Sequence, residues 1–179
     1  MKKGLIVWGV VGFLIVLIGF SGCGSYNSMV SKDENVNKSW KEVGNFYQRR
    51  MDLIPNLVST VQQYADFEKS TLTAVIEARA KATSVSINPD KLDAESMRKF
   101  QEAQGALSSS LARLLVVAEQ YPNLKANESF MNLQQELAGT ENRITFARTQ
   151  FNEAAQDYNT YIRKFPRNIW AGLFGFERR

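Results

Sequence analysis

Apolar residues recur along most of this chain at alternating steps of three and four positions. The longest stripe covers residues 130–165, where Thr140 is the only member that is neither apolar nor aromatic. A repeat of about 3.5 residues is typical of helices packed in a left-handed bundle. Stripes with the same spacing cover residues 97–121, 36–47 and 57–64. Since no segment shows the strict alternation of a half-buried strand, the pattern predicts an all-α fold.

Four prolines interrupt this pattern. Proline lacks a backbone N–H and clashes with the preceding turn, so it is poorly tolerated inside a helix. The sequence therefore predicts four helical segments with ends near these positions. The prolines are Pro55, Pro89, Pro122 and Pro166. The predicted segments cover residues 28–53, 55–83, 89–120 and 127–165, with Asn88 and Asn127 as N-caps and residues 121–124 as a helix-ending turn.

The topology depends on what the chain does at Pro55. A sharp reversal there gives an antiparallel up-and-down bundle of four segments, which is the preferred prediction. The alternative has three long helices, the first of them kinked at Pro55. That alternative would leave the apolar stripe at residues 36–47 without a partner in the chain, and such a stripe must be buried somewhere. Three long helices would therefore imply self-association.

The first part of the chain has the length and composition of a membrane anchor. Residues 4–22 carry no charge, and as a helix they would span about 28 Å, close to the hydrocarbon core of a bilayer. A lipoprotein signal is the alternative, because Phe20-Ser21-Gly22-Cys23 is similar to a lipobox with Cys23 as the lipidated residue. We therefore predict an anchor or lipoprotein signal at residues 1–25, a helical bundle at 26–166 and a tail at 167–179.

Positive charge before the anchor predicts its orientation. Lys2 and Lys3 precede the uncharged run, so the positive-inside rule places a short N-terminus in the cytoplasm and the bundle outside the cell membrane, in the periplasm. Lipid anchoring at Cys23 would leave the bundle bound to a membrane as well. The bilayer is thus the first predicted partner.

Charge and composition exclude several classes of function. Outside Lys2 and Lys3, the remaining 20 basic residues nearly balance 18 acidic ones, so we predict no nucleic-acid binding. There is no histidine, and Cys23 is the only cysteine, which argues against a helical-bundle metal site and against a base-activated nucleophile. No glycine-rich phosphate loop occurs. We predict no cofactor and no enzymatic activity.

Polar residues concentrate in the last long segment. Glu141, Arg148, Asn152 and Asn159 share one helical face, since they follow each other at steps of seven, four and seven. The preferred interpretation is a buried polar network that fixes helix register, because buried charges need partners. The alternative is a docking surface for a protein. The candidate residues are Arg49, Arg50, Asp52, Asn56, Glu68, Glu141, Arg143, Arg148, Asn152 and Asn159.

The tail combines aromatic and basic residues. Trp170, Phe174 and Phe176 lie among several arginines, a composition that suits a bilayer interface. The preferred interpretation is an aromatic plug across one end of the bundle. Contact with a membrane or a partner protein is the alternative.

Many short sequence matches, in order along the chain, resemble the LemA family of bacterial membrane proteins. They include residues 26–30 after the anchor, residues 49–58 around Pro55, residues 119–126 and residues 133–148. The resemblance covers nearly the whole chain and implies an N-terminal transmembrane helix followed by a helical bundle. It implies no reaction. Phe151 departs from the family, where an Arg-x-x-Tyr-Asn pattern usually has a tyrosine.

These observations give two functional hypotheses. The preferred one is a non-enzymatic, membrane-anchored scaffold or adaptor of the cell envelope that binds a protein partner. The second is a self-associating protein that shapes or braces the membrane, which the stripe at residues 36–47 and the aromatic tail motivate.

Overall fold

A computed structural model of the chain describes residues 2–64, 66–85, 87 and 94–179. Before Gly22 it describes the exposure of Trp8 and Gly12 only. The described residues form six helices and no strand, which confirms the all-α prediction. The helices are α1 Lys2–Gln62, α2 Lys69–Ser84, α3 Ala94–Ala118, α4 Pro122–Lys125, α5 Glu128–Arg163 and α6 Arg167–Phe174.

The predicted anchor lies in the first part of α1. Within the described residues, no helix combines the length and the apolar character that crossing a membrane requires. Most side chains of residues 4–22 fall outside the described part of the chain, as do Phe20 and Ser21 of the lipobox-like sequence. The predicted N-cap Asn88 and the neighbouring Pro89 also lie outside it.

The predicted reversal at Pro55 is wrong, because α1 continues through this residue to Gln62. A proline inside a helix leaves the carbonyl four residues earlier without its usual N–H donor. Here that carbonyl belongs to Met51, and the Arg79 Nε of α2 donates a hydrogen bond to it at 3.0 Å. The side chain of Arg79 thus replaces the donor that Pro55 lacks. The first helix is long, as in the alternative prediction.

The chain turns between α1 and α2, in the middle of the second predicted segment. Backbone hydrogen bonds of 3.0 Å from the Tyr64 amide to the Val61 carbonyl and from the Phe67 amide to the Tyr64 carbonyl close this turn. The Phe67 ring is buried against Tyr121, with 4.9 Å between ring centroids. The Tyr121 hydroxyl donates to the Asp66 carbonyl at 2.9 Å. Contacts from distant residues therefore fix the turn.

The chain divides into two compact units, and α1 and α5 contribute to both. Residues 40–149 form what we call the central unit, and residues 1–39 with 150–179 form the terminal unit. The central unit contains the main apolar core, which α1, α2, α3, α4 and α5 all supply. Its members with no exposed surface are Leu57, Val61, Val75, Leu107, Leu114 and Leu124.

The apolar stripe at residues 36–47 is buried within the chain. In the central unit, the rings of Trp40 and Tyr47 pack edge-to-face on Phe100 of α3, at centroid distances of 5.7 and 5.0 Å. Val36 is fully buried in the terminal unit. The expectation that a continuous α1 would leave this stripe without an intrachain partner is therefore wrong. The chain turns later than predicted, so α3 and the 36-residue α5 are available to cover it.

Of two local predictions, the N-cap at Asn127 is confirmed. The Phe130 amide donates to the Asn127 Oδ1 at 3.0 Å, which is the geometry of an N-cap at the start of α5. The predicted helix-ending turn at residues 121–124 is misplaced, because α3 ends at Ala118 and residues 122–124 belong to the short α4.

Candidate functional site

Arg50 is the most deeply buried charged side chain among the described residues, with 2% of its surface exposed. It occupies the next position of the apolar stripe after Tyr47, so α1 directs it into the central unit rather than toward solvent. The neighbouring Arg49 falls off the stripe and is exposed. A guanidinium at a core position requires several acceptors to offset its desolvation.

Those acceptors come from α3 and α5. One terminal nitrogen of Arg50 donates to the Ser108 Oγ at 2.8 Å and to the Glu141 Oε2 at 2.7 Å. The other terminal nitrogen donates to the side-chain oxygen of Gln104 and, at 3.4 Å, to its backbone carbonyl. Three helices are thus joined at one residue, and a shift of any of them along its axis would break these bonds.

The partners of Arg50 differ in their exposure to solvent. The carboxylate of Glu141 is half exposed, whereas Arg50 and Gln104 are buried. The Arg50 guanidinium lies 5.1 Å from the centroid of the Tyr47 ring. Burial raises the pKa of Tyr47 above its ordinary value, and the nearby Arg148 and Arg50 partly oppose this shift. This arrangement joins α1, α3 and α5 through one buried guanidinium.

The structure separates most other residues of the predicted polar cluster. Arg49 pairs with Glu136 at 2.8 Å on the surface, and the Gln48 Nε2 donates to the Asp52 Oδ1 at 2.7 Å. The remaining predicted residues Asn56, Arg143, Arg148 and Asn152 are exposed.

Glu68 lies at the turn before α2. Its carboxylate is 3.7 Å from the Arg113 guanidinium, and a hydrogen bond from the Ser70 hydroxyl lowers its pKa. Of the predicted cluster, the structure therefore joins Arg50 to Glu141 directly, and Arg148 interacts with the Tyr47 ring that Arg50 contacts.

Gln104 and Ser108 are functional partners that the sequence prediction missed. Gln104 interrupts the apolar stripe of α3 at a core position, and Arg50 interrupts the stripe of α1. Two polar residues at core positions of neighbouring helices are a usable signal, because each needs a buried partner. Ser108 gives no comparable signal, since serine is common on helix surfaces.

Asn159 lies in the terminal unit, where it holds the tail. Its Nδ2 donates to the Arg179 carbonyl at 2.7 Å, and the Arg179 amide donates to its Oδ1 at 3.0 Å. The Arg179 guanidinium also forms two hydrogen bonds with the carboxylate of Asp33 on α1, at 2.8 and 3.0 Å. The Tyr158 hydroxyl donates to the Glu177 carbonyl at 2.8 Å. The tail is therefore clamped between α1 and α5.

The aromatic residues of the tail pack on the segment of α1 that follows the uncharged run. The Trp170 ring lies so close to Gly22 that a Cβ there would meet ring atoms at 3.2 Å. The Tyr26 ring contacts Phe174 and Phe176 edge-on, with centroid distances of 5.1 and 5.6 Å. Cys23, the candidate lipidation site, is exposed beside this contact.

The tail and the turn before it also carry exposed apolar residues. Phe165, Ile169 and Leu173 follow each other at steps of four and are 80%, 58% and 69% exposed. Gly175 ends α6 in the left-handed conformation, and the Phe176 amide donates to the Ala171 carbonyl at 2.9 Å. No group of acidic or cysteine side chains suited to a metal occurs in the described part of the chain.

Comparison with known proteins places the chain in a family. The sequence profile of the LemA family matches residues 39–179, which is most of the chain. This chain belongs to the LemA family. The match covers the whole central unit, including Arg50 and its partners, and continues through the tail. The resemblance seen in the sequence motifs is thereby confirmed.

Several relatives of this LemA-family chain are named. Magnetosome protein MamQ 2 of Paramagnetospirillum magneticum is 27% identical, over 96% of this chain and 68% of that protein. Magnetosome protein MamQ of Magnetospirillum gryphiswaldense is 26% identical, over 86% of this chain and 62% of that protein. Protein LemA of Metamycoplasma hominis is 23% identical, over 89% and 70% respectively. These relatives are thus longer than the region they share with this chain.

Proposed function

We propose that this LemA-family chain is a membrane-anchored, non-enzymatic scaffold or adaptor of the cell envelope. One observation carries the proposal: the helix that contains the uncharged run at residues 4–22 is the same α1 that supplies the core of the central unit. A bundle that shares a helix with its anchor is suited to presenting a binding surface at the membrane.

The chemistry of the central unit supports a binding role over a catalytic one. Its buried charge, Arg50, is bonded to Ser108, Gln104 and Glu141 in an arrangement that holds helices together. Structural polar networks of this kind also perturb ionisation, as at Tyr47, without creating a reactive group.

The proposed location is the cell membrane, with a short cytoplasmic N-terminus and the bundle in the periplasm. Lys2 and Lys3 before the uncharged run support this orientation. An acyl chain on the exposed Cys23 is the alternative anchor. Two relatives are named as magnetosome proteins, and these names refer to a cell structure rather than to a reaction.

Self-association as a membrane brace has lost its main support. It was motivated by the stripe at residues 36–47, but Val36, Trp40 and Val43 are buried within the chain. We therefore keep self-association only as one outcome of the test.

Site-specific photo-crosslinking in intact cells tests the adaptor role. Phe146 of α5 and Val116 of α3 are exposed apolar positions in the central unit, and each would be replaced by a photoreactive phenylalanine analogue in the full chain. The matched control is Thr145, an exposed polar residue beside Phe146. A reproducible protein adduct at Phe146 or Val116, absent at Thr145, is expected. Adducts at none of these positions across several growth conditions would contradict the adaptor role. An adduct between two copies would favour the bracing function instead.

A further inference from the structure

The exposed apolar side of the tail differs from the other exposed apolar positions of the chain. Ile169 and Leu173 are spaced by four residues on α6 and share one face, and the exposed Phe165 lies in the turn just before this helix. We call these three residues the stripe; single exposed apolar residues, by contrast, are ordinary on protein surfaces. Another side of α6 packs on the chain, because Ala171 is buried and Trp170 packs on Gly22. Ile169 and Leu173 are therefore exposed on a docked helix.

The charge around the stripe has one sign. Residues 163–176 contain Arg163, Lys164 and Arg167 and no acidic residue. Arg167 is the first residue of α6, and its guanidinium carbon lies 4.2 Å from the centroid of the Tyr161 ring. An apolar stripe flanked by basic residues is the composition of helices that lie in the surface of anionic membranes.

The contacts of the tail also set its distance from the uncharged run. Trp170 touches Gly22, the last residue of that run, and Phe174 and Phe176 touch Tyr26 one helical turn later. Four residues of helix rise by about 6 Å. The headgroup layer on each side of a bilayer is about 5 to 8 Å thick. If residues 4–22 span the hydrocarbon core, α6 lies at the depth of the headgroups.

We propose that the stripe of Phe165, Ile169 and Leu173 is seated in the headgroup interface of the membrane that anchors the chain, where Arg163 and Lys164 bind anionic phospholipid. This inference rests on the proposed membrane anchoring and adds a second point of attachment. With both α1 and α6 in contact with the bilayer, the terminal unit is fixed against rotation about the anchor helix.

A second copy of the chain fits this stripe less well. A specific protein interface buries about 800 Å² on each partner. Two side chains on an eight-residue helix and one in the turn before it supply only a small part of that area. A bilayer needs no matching surface and covers whatever apolar residues reach it.

Spin labels test the proposal in the full-length protein. The background variant is Cys23→Ser, since Cys23 is the only cysteine. Single labels are placed through Ile169→Cys or Leu173→Cys, and the protein is reconstituted in vesicles that contain phosphatidylethanolamine and phosphatidylglycerol. Collisions with oxygen, which enters lipid, are compared with collisions with a nickel chelate, which stays in water. The matched control is Val116→Cys, an exposed apolar position of the central unit.

We expect the labels at residues 169 and 173 to collide more with oxygen than with nickel, and the label at 116 to show the reverse. Nickel accessibility at 169 and 173 equal to that at 116 would overturn the proposal. Low accessibility to both reagents would overturn it as well, because protein rather than lipid would then cover the stripe. Circular dichroism verifies that each labelled variant keeps its helix content.

A fourth label separates failure of this inference from failure of the anchor. Trp8 is 77% exposed within the uncharged run, and a label at Trp8→Cys reports on that run itself. Lipid exposure at residue 8 with water exposure at 169 and 173 would refute the tail contact alone. Water exposure at residue 8 would refute the anchor on which both proposals rest.

The anionic-lipid part of the proposal has its own variant. In Arg163→Gln with Lys164→Gln, we expect the equilibrium constant for immersion of the label at 173 to fall by about fivefold for each charge removed. The same fall in this equilibrium constant is expected when the protein with Arg163 and Lys164 unchanged is measured in vesicles of phosphatidylcholine alone. An equilibrium constant that does not change in either experiment would contradict phospholipid binding by these residues.

Discussion

The central and terminal units solve the problem of holding helices together in different ways. The central unit buries an apolar core supplied by five helices, and Arg50, the one buried charge among its described residues, is bonded on several sides. The terminal unit has parts of two long helices and a short one. Much of its fixed geometry comes from polar clamps on the tail, at Asn159, Tyr158 and Asp33. The comparison indicates that apolar packing holds the central unit together, whereas side-chain hydrogen bonds hold the tail in the terminal unit.

The largest expected effect separates two neighbouring arginines of α1. Arg50→Ala removes the donor that satisfies Gln104, Ser108 and Glu141, so we expect the free energy of unfolding to fall by about 3 kcal/mol. Arg49→Ala removes only an exposed pair with Glu136 and should cost less than about 1 kcal/mol. Denaturant unfolding of the detergent-solubilised chain measures both. Equal costs would contradict the structural role assigned to Arg50.

A pair of asparagines on α5 tests the tail clamp of the terminal unit. Asn159→Ala loses both bonds to the Arg179 backbone, which we expect to destabilise tail docking by about 1 to 2 kcal/mol. Asn152→Ala, an exposed position two helical turns earlier, serves as the control. Hydrogen exchange of the tail amides, including Phe176, is the measurement. Faster exchange in both variants, or in neither, would show that Asn159 is not the clamp.

The third effect concerns the proline inside α1. Arg79→Ala should cost about 1 kcal/mol, because the Met51 carbonyl then loses the donor that replaces the missing amide of Pro55. In a Pro55→Ala background, the restored amide can bond this carbonyl, so the same substitution should cost less. A double-mutant cycle measures the difference as a coupling energy. A coupling of zero would mean that Arg79 does not compensate for Pro55.

The smallest effect appears only at high pH. Burial raises the pKa of Tyr158 to about 12, above its ordinary value of 10.0. The contribution of Tyr158 to the stability of the fold is complete below pH 10, where its hydroxyl is protonated in both the folded and the unfolded chain. It is lost between pH 10 and 12, because the unfolded chain ionises first. The melting temperature of the native chain should therefore fall more steeply over this range than that of Tyr158→Phe. Parallel curves would exclude this ionisation.

The positions of α3 and α5 could be predicted from the sequence because their apolar spacing is local information. The start of α5 followed from Asn127, whose side chain caps the helix three residues away. The continuation of α1 through Pro55 could not be predicted in this way. It depends on Arg79, which bonds the Met51 carbonyl from 28 residues further along the chain, and propensity alone favours a break.

The candidate site was predicted only in part, because it too depends on contacts between residues that are distant in the sequence. Arg50 and Glu141 were both named from their positions, but so were exposed residues such as Asn56 and Arg143. Periodicity identifies a polar residue that falls on a core stripe, as Arg50 and Gln104 do. It does not identify the docking of the tail, where Asp33 meets Arg179 across 146 positions of sequence.

The central claim is that the chain is tethered to a membrane by its own first helix. Mass spectrometry of the N-terminal peptide, taken from the protein in alkali-washed membranes, tests it most directly. We predict an intact sequence from the first residues through an unmodified Cys23, recovered in the membrane pellet. An acylated Cys23 at the new N-terminus would replace the helical anchor with a lipid. A chain cleaved ahead of the bundle, without acylation and recovered in the supernatant, would contradict tethering altogether.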